Sequence, residues 1–183
     1  MVSAMQGAKP EQVRRRSPTR GRSTPLKLVV VACDAADAVA AAGGVIFDSV
    51  RAGWTVDLYL EKIGDKRALK ILGVGSAMIP TGFEFESEWP DAVLLAAALH
   101  ERHRGAQRLV TGCIRRQHTD VAFWGQDVPS VFHDDTNMEH RLSTAARAFK
   151  PYALDAAGLP QCSTLIEAFR GSRRRTDGAT QPR

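Results

Sequence analysis

The run Leu28-Val29-Val30-Val31-Ala32 is apolar without interruption. That is the pattern of a strand buried on both faces, and it predicts the first central strand. Over 35–52 the apolar spacing changes to intervals of three and four, through Val39, Gly43, Ile46, Phe47 and Val50. This predicts an amphipathic helix, with Gly53 placed where such a helix stops. Val56-Asp57-Leu58-Tyr59-Leu60 predicts the next strand. Strand, helix and strand in this order make a βαβ unit, right-handed in nearly all cases, with its ligand-facing loop at the carboxyl end of the strands.

The same reading continues with a short helix near 66–72, a weak strand around 77–79, and a helix over Pro90–His103 with Val93, Leu94, Ala97 and Ala98 inward. A strand follows at Arg108–Thr111, a short strand at Val121–Trp124, an amphipathic helix over Met138–Phe149 and a last short helix at Ser163–Phe169. Residues 82–89 and 125–137 read as loops. The predicted architecture is α/β, a three-layer sandwich around a mostly parallel, Rossmann-like sheet. With 183 residues, 44% of them hydrophobic, the chain suits one domain with a real core. The expected division is a single α/β domain at 27–169 between disordered basic tails at 1–26 and 170–183.

Charge sharpens that division. Residues 1–27 hold seven Lys/Arg against one Glu, and 170–183 hold five Arg against one Asp; of 25 basic and 20 acidic residues, 13 and 18 remain for 28–169. The body is mildly acidic and the ends are basic. Arg14-Arg15-Arg16 and Arg173-Arg174-Arg175 suit an anionic partner or nucleic acid, bound by counterion release. Polar, Ser/Arg/Gly/Pro-rich ends that bury too little surface to order account for the same composition. Cys33, Cys113 and Cys162 are odd in number with no CxxC spacing, which indicates neither a disulfide framework nor a cysteine zinc site and fits a reducing compartment. No segment approaches the roughly 18 consecutive apolar residues of a membrane span, and no apolar run backs the charged N-terminus as in a secretory signal. A cytoplasmic protein with no membrane partner is expected, and no solenoid-like repeat is present.

The first strand-to-helix turn lacks Gly-x-Gly-x-x-Gly, and Gly43-Gly44 lies two turns into the helix, too late to cradle a pyrophosphate. A dinucleotide cofactor is therefore disfavoured. The turn holds two carboxylates instead, Asp34 and Asp37, which suit either helix capping or metal ligation. His100 and His103 near a helix C-terminus suit a metal or simply the helix dipole. Glu84, Glu86, Glu88 and Asp91 form an acidic contact face or a solvated loop and helix start. Trp54, Trp89 and Trp124 suit core or edge packing, or the lining of a pocket. Cys33 reads as a small buried residue whose thiol the adjacent Asp34 makes less acidic.

A family resemblance attaches to these residues. Val31-Ala32-Cys33-Asp34-Ala35-Ala36-Asp37, followed by Gly43-Gly44 in the helix, resembles the opening motif of the PIG-L/LmbE deacetylases, in which a strand ends in His-Pro-Asp-Asp-Glu. Leu109-Val110-Thr111-Gly112 through Gln117-His118-Thr119-Asp120-Val121 is similar to that family's later strand and its His-x-Asp-His motif. The resemblance covers roughly 27–125, including the helix with Arg67, Leu72 and Gly73. It implies a zinc-dependent deacetylase of N-acetylated sugars, with Asp34 and Asp37 at metal-ligand positions, Ala36 at the general base, His118 and Asp120 in the second motif, and Val121 at the last ligand.

Ala36 cannot take a proton and Val121 cannot bind a metal, so the resemblance implies an eroded site. One reading is a non-catalytic binding or regulatory protein. The other is a divalent-metal hydrolase in which Asp34 and Asp37 hold the metal and His118 or Asp120 assists proton transfer. Two carboxylates without an assured histidine favour harder ions than zinc, unless His133 or His140 folds back as a replacement ligand. A different α/β domain, with a strand-end Asp that binds Mg²⁺ or receives a phosphoryl group, lacks the acidic pair and later Lys of a receiver. In either deacetylase-like reading, a ligand is expected over the carboxyl ends of the strands near Asp34, Asp37, His118 and Asp120.

Overall fold

A computed structural model of the protein describes residues 11–12, 24–85, 88–116, 118–129 and 136–172. Arg14-Arg15-Arg16, Glu86, His133 and Arg173-Arg174-Arg175 lie outside the described residues. In chain order the elements are β1 (Glu11–Gln12), β2 (Lys27–Ala32), α1 (Ala35–Arg51), β3 (Thr55–Leu60), α2 (Arg67–Leu72), β4 (Ala77–Met78) and β5 (Ala92–Ala96). They continue with α3 (Ala97–Arg102), α4 (Arg104–Arg116), β6 (Asp120–Trp124), β7 (Thr136–Arg141), α5 (Thr144–Ala156) and β8 (Ile166–Ser172).

The strands form one sheet in the order β1-β7-β8-β6-β5-β2-β3-β4. β2, with Val29 to Ala32 fully buried, is central and pairs in parallel with β3 on one side and β5 on the other. The chain therefore leaves β2 in one direction for β3 and β4, then returns to its other side for β5 and β6. That reversal is a topological switch point, the place where open α/β sheets bind ligands. α1, α2 and α5 pack together on one face of the sheet, and α3 and α4 lie with β5 and β6 on the other. Only β8 is antiparallel to its neighbours, inserted between β6 and β7.

The first βαβ unit, α2 and β4 lie where periodicity predicts them, and Gly53 takes a left-handed φ of 80° just past α1. Four predicted elements are different. The helix expected over Pro90–His103 is strand β5 followed by α3. The strand expected at Arg108–Thr111 is the middle of α4, whose Ala106, Leu109, Val110 and Cys113 turn inward at helical spacing. The helix expected over Met138–Phe149 begins only at Thr144, after β7, and the helix expected at Ser163–Phe169 is the start of β8, which runs on through Ser172.

The C-terminal third is held to α1 by buried polar groups. Glu167 accepts from the backbone N–H of Gly44 at 2.6 Å and of Val45 at 2.8 Å, and from Lys150 Nζ at 2.5 Å. Lys150 also donates to the carbonyl of Ala40 at 2.9 Å. Ala40 and Gly44 are four apart, so the Lys150–Glu167 pair grips α1 at the two ends of a single helical turn. Nearby, Asp48 accepts from Ser143 N at 3.0 Å and from Ser143 Oγ, and bonds His140 Nε2 at 2.9 Å. His140 is thereby engaged in the interior and is not a replacement ligand for the strand ends. The close approach depends on Gly44, where an added Cβ would lie 2.5 Å from Leu142 Cγ.

Candidate functional site

β2 ends into an extended Asp34 (φ −158°, ψ −176°), which caps α1: its Oδ1 accepts from Asp37 N at 2.9 Å. Asp37 reaches back in turn, its Oδ2 accepting at 2.9 Å from Cys33 N, one residue before the cap rather than from the cap's own N–H as in a capping box. Its other oxygen, Oδ1, accepts from the indole Nε1 of Trp124 at 2.9 Å, tying the start of α1 to the carboxyl end of β6. Between the two readings of Asp34 and Asp37, the hydrogen bonds are those of caps, and both oxygens of Asp37 are engaged.

Above these residues lies a cleft of about 290 Å³ at the carboxyl edge, bounded by Cys33 and Asp37 after β2, Ala96, Ala97 and Glu101 from β5–α3, and Trp124 and Asp127 after β6. Asp127 has a φ of 53°, a left-handed conformation that Asp tolerates better than most residues. Beside the cleft, Arg102 makes a two-pronged ion pair with Glu61, Nε to Oε1 at 3.0 Å and Nη2 to Oε2 at 2.7 Å, and Nη2 also reaches Cys33 Sγ at 3.4 Å. The hydrogen bonds from Arg102 hold the Glu61 carboxyl below its usual range. Burial, and then the charge of Asp37, push the Cys33 thiol up, so it is a poor nucleophile. His100 packs edge-on against Phe123 with ring centroids 5.7 Å apart, and burial makes it harder to protonate; His103 Nδ1 accepts from Gly105 N at 3.2 Å.

His118 and Asp120 are not at this cleft. Asp120 opens β6 at the amino edge, where its N–H donates to the carbonyl of Asp91 at 2.9 Å, and neighbouring Thr119 donates to Pro90 O at 2.7 Å. Trp124, which meets Asp37, lies four residues along β6, roughly 13 Å away at about 3.3 Å per residue. The expected single pocket of Asp34, Asp37, His118 and Asp120 is thus corrected: two lie at each edge of the sheet. The cause is the identity of α4. Because 104–116 is a helix, His118 follows a helix and enters a strand, where the family motif follows a strand. Val121 is buried in β6 and Ala36 lies in the first turn of α1.

The donor set does not fit the zinc site that the resemblance implies. The two aspartates are used as caps, no imidazole joins them among the described residues, and a guanidinium stands nearby. Among the described residues no group of three or more His, Cys, Asp or Glu is placed to hold a metal ion. Sequence reasoning missed Arg102, Glu61, Glu101 and Asp127. The one available signal was that Glu61 directly follows the second strand of the βαβ unit, at its carboxyl end.

The fold is that of known deacetylases. A triple mutant of a deacetylase in the teicoplanin biosynthetic pathway matches at a TM-score of 0.54 and 12% identity, over 83% of this chain and 100% of that one. A deacetylase–teicoplanin complex matches at 0.54 and 10%, over 83% and 100%. The pseudoaglycone deacetylase of the antimicrobial reagent A40926 matches at 0.54 and 12%, over 84% and 100%. No protein-family model and no curated protein matches the chain. At these identities the likeness concerns the fold, and at that level it agrees with the PIG-L/LmbE resemblance. Among the described residues no helix is long and apolar enough to cross a membrane.

Proposed function

We propose that this chain is a deacetylase-fold protein that binds a small polar ligand in the carboxyl-edge cleft without hydrolysing it. The observation that supports this reading is the commitment of both Asp37 oxygens to Cys33 N and Trp124 Nε1. These two donors hold the Asp37 carboxylate toward the backbone and the indole, and Ala36 beside it offers no base for activating water. Glu101 and Asp127 at the rim of a largely apolar cleft favour a small ligand with an apolar face and hydroxyl or ammonium donors at its edge, such as an amino sugar.

The second reading, a divalent-metal deacetylase of an N-acetylated sugar, is favoured by the fold likeness to deacetylases. The test is to incubate the protein with N-acetylglucosamine, with and without added zinc, and to measure acetate release beside calorimetric binding of glucosamine and N-acetylglucosamine. Saturable binding with no acetate above the blank is expected. Zinc-dependent acetate release that disappears in Asp34→Asn/Asp37→Asn would establish the hydrolase instead. Neither binding nor release would end the cleft-ligand reading.

A further inference from the structure

α4 runs from the carboxyl edge, just after α3, back to the amino edge, just before β6. Its inner side is apolar and buried. Its outer side is exposed and carries Arg104, Arg108 and Arg115 in one stripe at spacings of four and seven, with Arg116 beside them and no acidic residue anywhere in the helix. Helix physics does not account for this stripe. Arg115 and Arg116 suit the negative end of the helix dipole, but Arg104 lies in the first turn, where a cation is disfavoured. Arg104 and Arg108 are four apart, and like charges at that spacing repel each other. No salt bridge relieves either one among the described residues; Arg108 donates only to the carbonyl of Thr81 at 3.2 Å.

The basic surface extends onto the sheet. Arg170 of β8 is directly opposite Phe123 of β6 and so shares its face, and Phe123 is the residue that His100 of α3 packs against. Arg170 is therefore exposed on the same side as α4. β8 ends at Ser172 opposite Val121, at the amino edge, and the sequence that follows is Arg173-Arg174-Arg175. The charges of the stripe and of Arg170 are all arginine, whose planar fork matches phosphate oxygens better than a lysine does.

We propose that the outer face of α4, with Arg170 beside it, binds the phosphate backbone of double-stranded DNA without reading sequence. The stripe is roughly 16 Å long at about 1.5 Å per residue, a length over which a duplex presents about ten phosphates. A lipid surface fits less well: α4 spends its apolar face on the core, leaving Ile114 as its one exposed large hydrophobic, so there is no face to insert. A single strand also fits less well, because base stacking needs a free aromatic, and Trp89 beside α4 is covered by the Arg116 guanidinium 4.4 Å from its ring.

The test is fluorescence anisotropy of the full chain with a short labelled duplex, a single strand of the same sequence, and phosphatidylserine-containing vesicles. Binding to the duplex should weaken steeply between about 50 and 200 mM salt. Arg104→Gln/Arg108→Gln/Arg115→Gln should bind at least ~10-fold more weakly at intermediate salt, with a log–log salt slope shallower by about 2.7, because each phosphate that an arginine neutralises adds roughly 0.9 to that slope. The triple Lys variant at the same positions should retain most binding, and equal thermal melts of the variants separate charge removal from unfolding. An unchanged slope in the Gln variant, no duplex binding at low salt, preference for the single strand, or weakening confined to vesicles would each overturn the proposal.

Discussion

Glu167→Ala is the most informative single perturbation of the fold. Glu167 and Lys150 have side chains only 2% and 4% exposed, and removing the carboxylate leaves the ammonium buried with the Ala40 carbonyl as its remaining partner. Breaking a buried pair from one side costs about 3–5 kcal/mol, because the surviving charge stays desolvated. At about 2–4 °C per kcal/mol for a chain of this size, that is a fall in Tm of roughly 6–20 °C. Lys150→Met/Glu167→Leu should recover most of the stability: both charges are gone, and Gly44 N and Ala40 O, four residues apart in α1, have each other as helical partners. Urea denaturation monitored by circular dichroism and Trp fluorescence gives the free-energy change of each variant, and a thermal melt gives the shift in Tm. A single variant within about 1 kcal/mol of the parent, or a double variant as unstable as the single, would refute the account of this pair as a charge held only by its partner.

Two further outcomes follow from local geometry. A Cβ at Gly43 meets nothing nearer than 3.6 Å, whereas one at Gly44 meets Leu142 at 2.5 Å; Gly43→Ala should stabilise by up to ~1 kcal/mol, and Gly44→Ala should destabilise by up to ~2 kcal/mol as overpacking exceeds helix preference. The three thiols should react with a disulfide reagent in the order Cys162, Cys33, Cys113: the first is exposed and made more acidic by its Thr164 bonds, the second is raised by burial and Asp37, and the third is buried with its pKa pushed up to about 12. Asp37→Asn should speed Cys33 and Arg102→Gln should slow it, measured by peptide mass mapping; the reverse order would contradict the charges assigned to that corner.

What was legible in the sequence is what local periodicity determines. β2, α1 and β3 bury their apolar positions at periods that match their structure, and Asp34 and Asp37 mark the turn between β2 and α1 by residue type alone. β5 was not legible, because Ala-Val-Leu-Leu-Ala-Ala-Ala-Leu is a good helix sequence and a continuous apolar run carries no period. It is a strand because β2 and β6 flank it and supply its ladder. β8 was hidden by an inverted pattern: Glu167 is buried while Leu165 and Ile166 are exposed, an arrangement that makes sense only once Lys150 is beside it. The error at the site grew from the same source. Reading Leu109-Val110-Thr111 as a strand moves His118 and Asp120 to the wrong edge of the sheet, and the residues that do border the cleft, Glu101 and Arg102, fall in the tail of a helix that begins seven residues later than expected.

β2 begins and β8 ends at the same edge of the sheet, opposite the cleft. A tether joined beyond Ser172 would therefore hold the domain by its back, with the Cys33–Asp127 opening turned toward solution. Surface-immobilised measurements of small-molecule binding can use such attachment without masking the opening, while the α4 stripe, running from one edge to the other, would be partly shadowed by the support at its Arg115 end.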